Sequence, residues 1–136
     1  MSVMTQPGDK VIAVVDDMFF AAKINSAASA AGRQVERVKS REQLEQVIST
    51  HHPSLVLVDL NSERLDPLAV IEFFKSRPET GAVPIVGFVS HVQTELIRRA
   101  QEAGCDYVLP RSAFSQLLPE IVAGNLTQLR ARQSSK

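Results

Sequence analysis

The 136-residue sequence has one cysteine, no tryptophan and no long run of hydrophobic residues. The lone Cys105 excludes an internal disulfide and a cysteine-based metal cluster, so we expect a small buried hydrophobic residue there. Every apolar run is far shorter than the roughly 20 residues that a membrane-spanning helix needs. A glycine-rich loop of the kind that cradles phosphates is also missing, which argues against a nucleotide or flavin site.

The sequence has no excess of charge of either sign, since 15 basic residues balance 15 acidic ones. Such a balance gives no field that would attract nucleic acid or an anionic membrane, so we expect neither as a partner. Residues 1–9 are polar and lack the apolar stretch of a signal peptide, so they are expected to form a disordered lead. Together these features favour a cytoplasmic protein.

Five short apolar runs, rich in β-branched residues, predict strands over residues 11–15, 34–38, 55–58, 85–89 and 107–109. Strands that alternate with helical segments form a parallel sheet with helices on both faces. Right-handed crossovers restrict such a chain to a doubly wound α/β fold, for which the flavodoxin-like strand order 2-1-3-4-5 is the natural one. We expect one domain over residues 10–124, followed by an extension of the last helix and a tail over residues 125–136.

The segments between the strands have helical spacing, and residues with end-forming chemistry mark where the helices start and stop. The signals are a capping box at Ser40, an aspartate–proline pair at Asp66, and stops at Gly32 and Gly104. The last helix is expected to begin near Ser115, so that Pro119 falls in or just after its first turn. Its expected buried side continues into the tail and comprises Leu118, Ile121, Val122, Leu126 and Leu129.

Three aspartates lie at the ends of two central strands. Asp16 and Asp17 follow the first strand, and Asp59 follows the third. In a doubly wound sheet these strands are neighbours where strand order reverses, so the three carboxylates should converge there. Like charges this close repel one another unless a cation offsets them, and Mg²⁺ prefers such oxygen ligands. Alternatively, each aspartate is only a helix cap or a turn residue.

The stretches around these aspartates resemble the receiver domain of two-component response regulators. They are residues 11–17 (VIAVVDD), 55–60 (LVLVDL), 84–90 (PIVGFVS) and 103–106 (AGCD), and the resemblance covers about residues 10–124. The resemblance implies that Asp59 is the phosphoacceptor. It also implies that Asp16, Asp17 and Asp59 hold Mg²⁺ together with the backbone carbonyl of Asn61, and that Ser90 contacts the phosphoryl group. A serine at a strand end is, alternatively, a common helix cap.

Three features depart from the pattern of that family. Receivers usually carry a lysine at the end of strand five, and an ungapped alignment places Arg111 there as the second phosphoryl-contacting residue. Arginine also binds phosphate, but its planar fork differs from an ammonium group; alternatively, Arg111 is only a solvated surface residue. The aromatic switch position falls on Val108 without a gap, or on Tyr107 with one. Glu63 adds negative charge to the loop after the phosphoacceptor.

Two functions follow from the resemblance. In the first, the chain is a single-domain response regulator that accepts a phosphoryl group on Asp59 from a histidine kinase or phosphotransfer protein and signals by protein–protein contact. In the second, it is a degenerate receiver that binds proteins without phosphorylation. Neither is an enzyme beyond catalysing its own Mg²⁺-dependent phosphorylation and dephosphorylation. An unrelated flavodoxin-like enzyme is a third hypothesis. A homodimer through the last helices is expected if the apolar stripe at Leu126 and Leu129 extends beyond the core.

Overall fold

The computed structural model describes residues 10–50, 52–62, 64–90, 93–127 and 129. The strands in these ranges are β1 (Lys10–Val14), β2 (Gln34–Arg37), β3 (Pro53–Asp59), β4 (Ile85–Val89) and β5 (Tyr107–Pro110). The helices are α1 (Met18–Ala30), α2 (Arg41–Thr50), α3 (Pro67–Ser76), α4 (Thr94–Ala103) and α5 (Arg111–Val122). The predicted lead at residues 1–9 and the end of the tail, residues 130–136, lie outside the described residues.

The five strands form one parallel sheet in the order β2-β1-β3-β4-β5, which confirms the predicted flavodoxin-like fold. Val14 of β1 lies beside Val58 of β3, and Asp59 lies beside Phe88 of β4. Strand order reverses between β1 and β3, so the carboxyl ends of the two strands adjoin and leave a crevice between the loops that follow them.

Both faces of the sheet are buried, as the nearly continuous apolar runs predict for a parallel sheet. On one face, Val11, Leu57 and Phe88 belong to a core cluster that includes residues of α1 and α5. On the other, Ile12 and Val58 belong to a cluster with residues of α2, α3 and α4. The carboxyl edge of the sheet therefore borders a core that is packed on both faces of the sheet.

The predicted helix caps at Ser40 and Asp66 and the predicted glycine stop at Gly104 are confirmed. The Oγ of Ser40 accepts a hydrogen bond from the backbone N–H of Gln43 at 3.1 Å, and Asp66 accepts one from that of Ala69 at 3.3 Å. Gly104 follows α4 with φ +115°, a left-handed conformation that glycine adopts without steric cost. None of the helices in the described part of the chain has the length and apolar character needed to cross a membrane.

The predicted start of the last helix is wrong. α5 begins at Arg111 rather than near Ser115, because Pro110 ends β5 in an extended conformation (φ −63°, ψ 151°) and the chain turns into the helix at once. Pro119 consequently lies in the interior of α5, where it lacks the N–H that would bond to the carbonyl of Ser115.

The prediction that α5 runs on into the tail is also wrong. The helix ends at Val122, and Gly124 with φ +87° turns the chain. Leu129 is only 1% exposed and belongs to the core cluster of α1 and α5, against which Leu126 also packs. The apolar stripe is thus covered by this chain itself, which removes the argument that it needs a second copy.

Candidate functional site

The predicted phosphoacceptor, the acidic pair and the two phosphoryl-contacting residues lie along the carboxyl edge of the sheet. Asp59 ends β3, and Asp16 and Asp17 follow β1. Ser90 follows β4 and Arg111 follows β5. The last residues of β4 and β5, Val89 and Pro110, are paired in the sheet. Ser90 and Arg111 therefore directly follow the ends of two neighbouring strands.

Asp59 is the buried acid of this site, with only 5% of its surface exposed. Burial raises the pKa of its carboxyl group, and the charges of Asp16 and Asp17 raise it further. Two interactions lower the pKa. The backbone N–H of Asn61 donates a hydrogen bond to Oδ1 at 2.9 Å, and the positive charge of Arg111 attracts the ionised carboxylate. Burial outweighs them, so the ionised carboxylate lacks full compensation.

Asp16 is held from two sides. Its Oδ2 accepts a hydrogen bond from the Oγ of Ser62 at 2.6 Å, which brings the loop after β3 onto the carboxylate. From the edge strand β2, Arg37 donates to the backbone carbonyls of Val15 at 3.0 Å and Asp16 at 2.6 Å. Neither Ser62 nor Arg37 was predicted from the sequence. The one signal is that Arg37 stands where the polar–apolar alternation of β2 calls for an apolar residue.

Asp17 is the N-cap of α1. Its Oδ1 accepts hydrogen bonds from the backbone N–H groups of Phe19 at 2.9 Å and Phe20 at 3.3 Å. Its Oδ2 lies 3.9 Å from Nη2 of Arg111. The capping alternative therefore accounts for Oδ1 of Asp17, while Oδ2 lies near the guanidinium group of Arg111.

Arg111 is not a freely solvated surface residue. Its guanidinium carbon lies 4.8 Å from the centre of the Phe20 ring and 6.0 Å from that of Phe88. Its Nε–H is buried and has no hydrogen-bond partner among the described residues. A guanidinium group with an unused donor, close enough to lower the pKa of Asp59, is suited to bind an oxyanion formed on that carboxylate.

Asn61 links the loops after β3 and β4 through its side chain. Its Oδ1 accepts from the backbone N–H of Ser90 at 2.7 Å and from the Oγ of Ser90 at 2.9 Å. Its Nδ2 donates to Oε1 of Gln93 at 2.7 Å. Only the backbone carbonyl of Asn61 was expected to take part in the site, and the structure adds that the Ser90 hydroxyl is hydrogen-bonded to its side chain.

The two switch candidates lie on opposite faces of β5. Val108 is 9% exposed and belongs to the cluster of α2, α3 and α4. Tyr107 is half-buried and packs against the cluster of α1 and α5. No aromatic ring of β5 therefore faces α4. Glu63 lies outside the described residues.

The donor set of the site fits a hard divalent cation only in part. Among the described residues, no group of three or more histidine, cysteine, aspartate or glutamate side chains is arranged to hold a metal ion. The predicted metal ligands are the carboxylates of Asp16, Asp17 and Asp59 and the backbone carbonyl of Asn61, and among them Oδ1 of Asp17 is already used as the cap of α1. Two carboxylates, completed by water, are a common ligand set for Mg²⁺, and the undercompensated charge of Asp59 favours a cation there.

No protein-family model matches this sequence, and no curated protein is detectably similar to it. Solved structures do match. The phosphorylated cyanobacterial phytochrome response regulator RcpA is 20% identical with a TM-score of 0.71, over 92% of this chain and 96% of its own. The receiver domain of a signal transduction histidine kinase from Syntrophus aciditrophicus is 19% identical with a TM-score of 0.74, over 90% and 93%. The Mn²⁺-bound response regulator Rcp1 is 16% identical with a TM-score of 0.69, over 89% and 94%. The chain has the fold of response-regulator receiver domains.

Proposed function

We propose that this chain is a phosphoacceptor switch of two-component signalling. The observation that carries the proposal is the environment of Asp59: a buried carboxylate at the switch point of a receiver fold, with a raised pKa and a cation beside it. The donor would be a phosphohistidine of a histidine kinase or phosphotransfer protein, and the output would be contact with another protein.

Each site residue has a chemical role in this proposal. An oxygen of Asp59 attacks phosphorus while the bond to the histidine nitrogen of the donor breaks, which leaves an acyl phosphate. Arg111 pairs with the phosphoryl oxygens through its fork, including the unused Nε–H. Ser90 donates its hydroxyl to a phosphoryl oxygen after leaving Asn61. Asp16, Asp17 and Asp59, with the backbone carbonyl of Asn61, would hold Mg²⁺, which offsets the charge that spreads over the transferring oxygens.

Incubation with acetyl phosphate and Mg²⁺, followed by intact mass measurement, tests the proposal. We expect a mass increase of one phosphoryl group that disappears in Asp59→Asn and persists in Asp66→Asn, an exposed aspartate at the start of α3. If the full chain gains no phosphoryl group, or if Asp59→Asn still does, the proposal is wrong.

The phosphodonor protein is proposed to contact the first turn of α1. Met18 and Phe19 are each 73% exposed there, directly after the acidic pair, and Phe19 lines a groove of about 510 Å³ between α1 and α5. Large exposed apolar side chains beside a reaction site suit a protein partner. Phe19→Ala should therefore slow phosphorylation by a phosphotransfer protein and leave that by acetyl phosphate unchanged; equal slowing of both reactions contradicts a docking role.

One observation favours the degenerate receiver instead. Without phosphate, Asp17 caps α1 and lies near Arg111, and the Ser90 hydroxyl is hydrogen-bonded to Asn61, so these two predicted site residues already have partners within the chain. The same mass measurement decides between the two functions.

The homodimer through the last helices stays a prediction. Light scattering of the intact chain, with and without beryllofluoride, tests it.

A further inference from the structure

The edge strand β2 stops pairing with β1 before β1 reaches the acidic pair. The last register pair is Ala13 with Arg37, and the N–H of Val38 then donates to the carbonyl of Ala13 at 2.9 Å. The chain after β1 continues through Val15 and Asp16 beyond this point. Val15 is 1% exposed, and a buried carbonyl without a partner is costly, so the end of β1 needs hydrogen-bond donors from elsewhere.

The side chain of Arg37 supplies those donors. Its Nε–H donates to the carbonyl of Val15 at 3.0 Å, and its Nη2–H donates to the carbonyl of Asp16 at 2.6 Å. Two donors on one rigid plane fix two successive peptide groups, which a lysine ammonium, as a single point, does not reproduce. These peptide groups directly precede the side chains of Asp16 and Asp17.

We propose that Arg37 is a positioning residue for the acidic pair. By clamping the backbone at Val15 and Asp16, it holds the carboxylates of Asp16 and Asp17 at the end of β3, where Asp59 lies. It also places a positive charge behind them. This inference rests on the proposed function insofar as the positioned group is the cation and phosphoryl site; the clamp itself is a property of the β1–α1 connection.

The full chain with Arg37→Ala, Arg37→Lys and Arg33→Ala is the test. Arg33 is a matched control: it is also half-buried and precedes β2, but it donates to the Oγ of Ser54 at 2.6 Å, at the amino edge of the sheet. Three quantities are measured: amide hydrogen exchange at residues 15–17, Mg²⁺ affinity by NMR titration, and the rate of phosphorylation by acetyl phosphate.

Arg37→Ala should speed amide exchange at residues 15–17 and lower Mg²⁺ affinity by about tenfold, the lower end of the usual effect of losing a group that orients metal ligands. Arg37→Lys should recover only part of the affinity, and added guanidinium ion at low concentration should recover part of it in Arg37→Ala. Arg33→Ala should leave exchange and affinity at the wild-type values.

The results separate this inference from the proposed function. If Arg37→Ala matches Arg33→Ala in exchange and Mg²⁺ affinity, or Arg37→Lys matches wild type in both, the positioning role is wrong even when Asp59 is phosphorylated. If the wild-type chain is not phosphorylated, the proposed function fails, while exchange and Mg²⁺ affinity still decide the role of Arg37. If Arg37→Ala does not fold, Arg37→Lys against Arg33→Ala gives the same decision.

Discussion

Replacing Asp59 with asparagine should stabilise the chain in the absence of metal. Asp59 is 5% exposed, and burial is the largest cause of the raised pKa of its carboxyl group. Asparagine has nearly the same shape and can still accept the hydrogen bond from the backbone N–H of Asn61. The substitution therefore removes a buried charge and its repulsion with Asp16 and Asp17, at the loss of one attraction to Arg111.

The sign and size of the effect follow from the direction in which folding moves the pKa. An acid whose pKa is raised by folding binds its proton more tightly in the folded state, so its ionisation costs stability as pH rises through the folded pKa. Below the ordinary value of 3.8 the acid is protonated in both states and the cost vanishes. A tenfold change in the acid dissociation constant is worth about 1.4 kcal/mol, and we expect a stabilisation on the order of 1 kcal/mol at neutral pH.

Urea unfolding with EDTA between pH 4 and pH 8 measures this effect. The free energy of unfolding of Asp59→Asn should exceed that of wild type by an amount that grows from acid to neutral pH and then levels off. Asp66→Asn, at an exposed helix cap where asparagine is equally suitable, is the control for an aspartate-to-asparagine change outside the site. Equal stability of Asp59→Asn and wild type at neutral pH, or a difference independent of pH, would refute the argument that the ionised Asp59 is undercompensated.

Three further predictions concern Asp17, Leu129 and Arg111. Asp17→Ala should destabilise α1 by about 1 kcal/mol through loss of its cap, whereas Asp17→Asn should keep the cap; Mg²⁺ titration shows whether both variants lose affinity, as the sequence predicts. Leu129→Ala should cost about 2–5 kcal/mol in urea unfolding, against almost nothing for the exposed Thr127→Ala; equal costs would mean that Leu129 is not core. Arg111→Ala should raise the pKa of Asp59 further and slow phosphorylation by acetyl phosphate; ¹³C NMR titration of the carboxyl group that shows no rise would contradict the electrostatic effect of Arg111 on Asp59.

The fold could be predicted because its signals are local and repeated. Strands buried on both faces give continuous apolar runs, and helix ends need particular residues, such as Asp66 before a proline or glycine at 104. Strand order then follows from the handedness of the crossovers, which is nearly the same in all such sheets. These features do not depend on which residues contact one another across the sheet, so they can be recognised in a single sequence.

The end of the chain could not be predicted by the same means. Helical spacing shows that Leu126 and Leu129 are to be buried, but it does not show against which surface. The turn at Gly124 directs them onto the core of their own chain. Pro119 likewise suggested a helix start, since proline is rare inside helices, yet in α5 the packing of the buried side outweighs the lost hydrogen bond.

The candidate site could be predicted only in part. Strand ends and the switch point indicate which aspartates lie at the same edge of the sheet. The contact of Arg37 with two backbone carbonyls joins residues of different strands and has no sequence pattern that would predict it. For Asp17, the capping interpretation accounts for only one of the two carboxylate oxygens. Two N–H groups of α1 fix its Oδ1, and this leaves Oδ2 near Arg111. Because Arg111 begins α5 and lies over Phe20 of α1, a phosphoryl group that draws the guanidinium toward Asp59 would loosen its contacts with α1.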